Sequence, residues 1–134
     1  MDEFPEKDVR IAETRTTIQT LRAANYIHVL LKPGVEVTLE DARANSAASH
    51  ELVGDGEYIV LVDTRPAIGI TREARTHFSD ATVRQSTLAQ ALLIDSGPSR
   101  IMGNFFLGLN KPPFPTKLFT SEEKAEAWLR EFTQ

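Results

Sequence analysis

From Tyr26 onward, short apolar runs of strand length alternate with segments carrying helix start and stop signals. That alternation restricts the chain to an α/β fold with a largely parallel sheet. Residues 26–32 are nearly apolar on both faces, as a central strand is. Pro33-Gly34 stops this run. Thr38, with Asp41 three residues on, reads as an N-cap with a weaker form of the capping box. The helix it opens runs to about Val53 and ends at Gly54. A strand over 58–62 follows, then a helix capped by Thr71 that carries Ala74, Phe78 and Ala81. A strand over 88–94 leads to a helix opened by Pro98 and running to about Leu109. A Pro-rich loop, 110–115, precedes a short strand over 117–119. Thr120 with Glu123 predicts a capping box for the last helix. Its Ala125, Trp128, Leu129 and Phe132 form the clearest amphipathic stripe in the chain.

The N-terminal part reads differently. Residues 9–21 have a Thr-rich centre that favours a strand. Apart from Ile11, Ile18 and Leu21 this stretch is polar on both faces, as expected of an edge strand. Ala23-Ala24-Asn25 makes a turn, so 9–21 and 26–32 pair as a hairpin. The expected architecture is a mixed, mostly parallel sheet of about five strands with four helices and right-handed crossovers. At 134 residues the chain is of single-domain length and sustains one core without staples. We expect one domain over 9–132, behind a flexible polar start at 1–8.

Composition removes several classes of function. The chain has no cysteine, which excludes disulfides, thiolate nucleophiles, zinc–thiolate sites and iron–sulfur clusters. The formal net charge is −4, and Lys and Arg are scattered, so nucleic acid is not an expected partner. The apolar run 101–109 is interrupted by Gly103, Asn104 and Gly108 and falls far short of the ~20 residues of a membrane span. The first residues lack the basic region and apolar stretch of a signal peptide, so a cytoplasmic location is expected. His28, His50 and His77 share no metal-ligand spacing. There is no phosphate-binding Gly motif and no Gly-x-Ser-x-Gly elbow. We therefore expect no catalytic residue, no metal and no cofactor.

Several stretches carry a family resemblance: Leu61-Val62-Asp63-Thr64-Arg65, Ile70-Thr71-Arg72-Glu73-Ala74-Arg75, and Ala91-Leu92-Leu93-Ile94-Asp95-Ser96. The sharper part is Gly103-Asn104-Phe105-Phe106-Leu107, with Asn110-Lys111-Pro112, Pro115-Thr116-Lys117-Leu118-Phe119, and Glu122-Glu123 through Trp128-Leu129. Over roughly 9–132 the chain resembles the STAS, or SpoIIAA-like, family. It is most similar to small stand-alone bacterial proteins of that architecture with no established function. The resemblance implies a non-enzymatic regulatory or protein-interaction module. The regulatory members carry a phosphorylated serine within Asp-Ser-Ser-Gly at the start of the second helix. Here Thr71-Arg72-Glu73-Ala74 stands in that place. Only Thr71, at the cap, has a hydroxyl, so the usual phosphorylation switch is not expected. A related core in CRAL-TRIO lipid carriers implies a small-molecule or lipid-binding domain as the alternative, with an unrecognised enzyme third.

Two candidate sites follow. Open parallel sheets bind ligands outside the carboxyl ends of their strands. Asp63, Thr64 and Arg65 end the third predicted strand, and Asp95, Ser96 and Arg100 follow the fourth. Arg65 and Arg100 would hold a small anion there, with free helix N–H groups. The competing expectation is that Asp63 and Asp95 make turns and pair with these arginines, and that Ser96 or Ser99 caps the third helix. The second candidate is that helix: Ile101, Met102, Phe105, Phe106 and Leu109 spread over more than one face. They imply contact with a protein partner, a second copy as a homodimer, or an apolar ligand, unless sheet and Pro-rich loop cover the helix fully.

Overall fold

The computed structural model describes residues 10–83, 86–95 and 97–133. The expected flexible start at 1–8 and the candidate Ser96 lie outside the described residues. Among the described residues the chain forms a six-stranded sheet, a separate two-stranded pairing and four helices. The strands are β1 (Arg10–Glu13), β2 (Thr17–Ala23), β3 (Tyr26–Leu31), β4 (Glu36–Val37), β5 (Tyr58–Asp63), β6 (Gly69–Ile70), β7 (Thr87–Leu93) and β8 (Thr116–Phe119). The helices are α1 (Leu39–Val53), α2 (Arg72–Phe78), α3 (Pro98–Leu107) and α4 (Glu122–Arg130).

The large sheet runs β1-β2-β3-β5-β7-β8. β1, β2 and β3 pair antiparallel, and β3, β5, β7 and β8 pair parallel. The sheet order follows the chain order, so crossovers of one hand place the three connecting helices on the same face. α1, α2 and α3 occupy that face, and α4, after the last strand, packs on the other.

The sheet has six strands where about five were expected. The difference lies at 9–21, which is a hairpin of its own. Thr14 Oγ1 accepts the backbone N–H of both Thr16 and Thr17, at 3.3 and 3.0 Å. This Ser/Thr-type turn folds β1 back on β2. β4 and β6, two residues each, pair beside the main sheet. The first helix begins and ends where its signals placed it. Thr38 and Asp41 form the full reciprocal capping box, and Gly54 closes the helix at φ +79°, a backbone shape that favours glycine. The last helix starts one residue later than predicted. Ser121, not Thr120, is its N-cap and accepts the Lys124 N–H. α3 ends at Leu107, and Gly108 is its C-cap.

Candidate functional site

Alternation along the sheet decides what faces the three helices. Thr17 and Gln19 of β2, Val29 and Leu31 of β3, Val60 and Val62 of β5, and Gln90 and Leu92 of β7 share that face. Large apolar residues from α2 and α3, Phe78, Met102 and Phe106, pack over its β7 side. α1 is different. Across its 15 residues the only large apolar side chains are Leu39, Leu52 and Val53; its middle is Ala, Ser and Asn. Small and polar side chains cannot fill the space between helix and sheet, and a cavity of about 200 Å³ remains there. Among the described residues, those of its lining that are exposed are His50 and Gly54, where α1 ends, and Val83, after α2. The cavity reaches solvent at that end. Thr64 lies at the other, the carboxyl end of β5.

The α1 wall is a network of neutral polar groups. Asn45 Oδ1 accepts the hydroxyls of Thr14 and Thr17, at 2.6 and 3.3 Å, and its Nδ2 donates to Thr16 Oγ1 at 3.0 Å. Gln19 Nε2 donates to the Asn45 carbonyl at 3.0 Å, and its Oε1 accepts the Ser49 hydroxyl at 2.6 Å. Ser46 Oγ and His77 Nε2 meet at 2.9 Å and tie α1 to α2. Buried groups joined in this way avoid the penalty of an unpaired polar atom. The sequence reading missed this wall. Its signal was an α1 with a strong cap and almost no apolar residue large enough to pack.

The structure places the expected rim residues as follows. Asp63 and Thr64 are buried at the end of β5. The Asp63 carboxylate accepts from Arg65 Nε at 2.9 Å, from Nη2 at 2.8 Å and from the Arg65 backbone N–H at 3.1 Å. This two-pronged pairing raises the Arg65 pKa further and directs its fork at Asp63 rather than outward. Thr64 Oγ1 donates to the Leu93 carbonyl at 2.8 Å. Asp95 and Ser99 close on each other: the Asp95 N–H donates to Ser99 Oγ at 2.8 Å, and Ser99 Oγ donates to Asp95 Oδ1. Ser99 is thus engaged behind the helix start. The N-cap is Gly97, at φ +74°, with no side-chain cap bond. Arg100 is exposed. Of the five described rim residues, Thr64 alone also lines the cavity. Thr71 caps α2 with its hydroxyl accepting the Ala74 N–H at 3.2 Å.

The α3 set divides. Met102 and Phe106 line the cavity and belong to the core, at 4% and 7% exposure. As surface contacts they are corrected: facing the sheet at i, i+4, they form the single stripe a helix needs. Phe105 is half-buried because the Arg75 guanidinium stacks on its ring at 3.8 Å. Arg75 is itself held by Asn110 Oδ1 and the Ile70 carbonyl, each at 3.1 Å. Ile101 and Leu109 are on the surface, at 60% and 85%, with Leu107 at 46%.

The three histidines lie on three different elements, β3, α1 and α2. His28 points from β3 to the α4 side, where Arg22 Nη1 bridges Glu122 and Glu126 at 3.1 Å each and Tyr26 Oη donates to Glu126 at 2.6 Å. Burial first, then the Arg22 charge, lowers the His28 pKa from 6.5. Burial and the Glu126 contact raise that of Tyr26.

A family model for a domain of unknown function, DUF7793, matches residues 20–133. Among solved structures the chain is similar to an uncharacterized protein from the DUF3478 family with a SpoIIAA-like fold from Shewanella loihica PV-4. The two share 14% identity over 90% of this chain and 91% of that chain, with a TM-score of 0.54. At that identity the likeness is one of fold, and it bears out the expected SpoIIAA-like architecture. No curated protein matches the chain.

Proposed function

This chain belongs to the DUF7793 family and has a SpoIIAA-like fold, and on that basis we propose that it is a non-enzymatic module that binds a small molecule between its sheet and α1. One observation carries the reading: the cavity of about 200 Å³ bounded by sheet, α1, α2 and α3. Native interiors are packed to the density of organic crystals, with few voids larger than a water molecule. A space this large lowers stability, and occupancy by a ligand offsets that cost. The walls are mostly apolar with one polar side, the usual make-up of a ligand pocket.

Thermal melts against a library of small organic fragments test the proposal in wild type and in Val62→Phe. Val62 lines the cavity from β5, and a phenyl ring there takes up the space. Binding fragments raise the Tm of wild type and leave that of Val62→Phe unchanged. A library that shifts neither protein, with an unaltered amide NMR spectrum, overturns the reading.

A second reading, a protein-interaction role, is favoured by the exposed Ile101, Leu107 and Leu109 on and just beyond α3. The two combine naturally, since Met102 and Phe106 of the same helix line the cavity and the opposite side of the helix faces outward. If a second copy docks there, Leu109→Asp shifts the protein from dimer to monomer in light scattering. A wild type that is already monomeric at high concentration removes the homodimer. An anion at the strand-end rim would fall to Arg100, because Arg65 is engaged by Asp63. Calorimetric titration of Arg100→Ala with small anionic metabolites tests that site.

A further inference from the structure

We propose that the cavity selects an uncharged molecule of about one aromatic ring in size bearing a hydrogen-bonding group. This rests on the ligand-binding reading and adds the chemistry of the ligand. The first argument is charge. Among the described residues no Asp, Glu, Lys or Arg lines the cavity, and the ionisable lining residues are His50, where α1 ends, and Tyr58, at the start of β5. A carboxylate or ammonium placed inside would be desolvated with no partner, which costs several kcal/mol or more. The nearby Arg15–Asp41 pair offers no relief. Both oxygens of Asp41 are taken by Arg15 and by the Thr38 N–H and hydroxyl.

The second argument is size. A dry engineered cavity of roughly 150 Å³ accepts benzene, and pockets for drug-sized ligands begin at about 300 Å³. At about 200 Å³, this one fits a ring with a small substituent and is too small for a long acyl chain.

The third argument is the hydrogen-bond inventory of the α1 wall. An amide carries two donors and two acceptor lone pairs, and a hydroxyl one donor and two lone pairs. Gln19 spends both N–H groups on Thr17 and the Asn45 carbonyl, and accepts one hydroxyl. Asn45 Oδ1 faces the Thr14 and Thr17 hydroxyls, which also share a 2.7 Å hydrogen bond with each other, and Nδ2 donates once, to Thr16. The wall therefore keeps a lone pair on Gln19, an N–H on Asn45 and lone pairs on Ser46 and Ser49. A ligand hydroxyl or amide, which both donates and accepts, matches such a wall, whereas a plain hydrocarbon makes no use of it.

The test uses the full chain and isosteric probes: p-cresol, toluene, 4-methylbenzoate, 4-methylbenzylammonium and 1-dodecanol. The Met102 methyl, one of only two methionine methyls in the chain, reports from inside the cavity by NMR. Trp128, the sole tryptophan, packs against the other face of the sheet and serves as the control. We expect p-cresol to shift the Met102 methyl and to bind at least about tenfold more tightly than either charged isostere, a difference of about 1.4 kcal/mol. It should also bind more tightly than toluene, and Ser49→Ala and Gln19→Met should each narrow that second difference. Should Gln19→Met fail to fold, Ser49→Ala alone carries the comparison. Equal or tighter binding of 4-methylbenzoate or 4-methylbenzylammonium overturns the charge argument, and tighter binding of dodecanol overturns the size argument. In both cases the binding site itself stands. If no probe moves the Met102 methyl, the inference and the ligand-binding reading fail together.

Discussion

Asp41 and His28 show how single side chains set the response of this protein to acid. Asp41 is buried at the start of α1, and Arg15 first, then Thr38, hold its pKa below the ordinary value of 3.8. A depressed carboxylate pKa contributes stability that is complete above the unfolded value and is lost as pH falls below it. The lowered pKa of His28 acts in the same direction but in a higher window. Its neutral form is favoured in the folded state, so the unfolded chain takes up the proton first and stability declines as pH drops through about 6.5. Denaturant midpoints measured from about pH 8 down to about pH 3 should therefore fall in two steps. His28→Gln removes the upper step, and Asp41→Asn weakens the lower one while costing about 1 to 3 kcal/mol near neutrality. An Asp41→Asn variant with the wild-type acid profile would contradict the assignment. The neighbouring phenylalanines of α3 are separated in the same concrete way. Phe106→Ala should destabilise by about 3 to 5 kcal/mol. Phe105→Leu, which gives up the Arg75 stacking, should lose only about 0.5 to 1 kcal/mol.

The elements depend on close fits that propensity does not reveal. Gly103 lies inside α3, where glycine is about 1 kcal/mol worse than alanine. A Cβ there would sit 2.9 Å from Leu118 Cδ2 and 3.2 Å from Ile94 Cγ2. The Leu118 tip can swing away, but Ile94, β-branched and just past the end of β7, cannot without moving its backbone. Gly103→Ala should therefore lower stability by about 1 to 2 kcal/mol despite the gain in helix propensity. Gly108 is outside the helix at negative φ, and a Cβ would meet only the Asn104 carbonyl oxygen, at 3.7 Å. Gly108→Ala should stay within about 0.5 kcal/mol of wild type. Thermal melts of the two variants side by side settle whether α3 is held by contact or by its own sequence. On the other face, α4 is fastened to β2 and β3 through Arg22, Tyr26, Glu122 and Glu126.

At the level of the whole molecule, one helix with little apolar bulk leaves the layers incompletely joined, and the cavity is the result. Filling it from the sheet side should stabilise the unliganded protein. Val62→Phe is expected to raise stability by about 0.5 to 2 kcal/mol while abolishing fragment binding, as read by thermal melts with and without p-cresol. A fall in Tm would mean that the space is already closed by side-chain rearrangement. Among the described residues no helix is long and apolar enough to cross a membrane.

Much of this is legible in the amino-acid sequence. Caps, glycine stops and apolar runs act within a few residues, so Thr38, Gly54, Thr71 and the strands over 26–32, 58–62 and 88–94 were placed closely, and their alternation implied the parallel sheet. The split of 9–21 into two strands escaped that reading because it depends on one threonine hydroxyl capturing two backbone N–H groups. Asp63, Thr64 and Arg65 were correctly set at a strand end, yet whether the arginine faces a ligand or its own neighbour is a matter of rotamer, and the bidentate bond to Asp63 decided it. Periodicity marked α3 as apolar on more than one face. The sheet chose which part is buried, taking Met102 and Phe106 and leaving Ile101 and Leu109 outside. The cavity came from tertiary packing alone. Patterning specifies which side chains face inward, but the volume left between them is a sum over six strands and three helices distant in the chain.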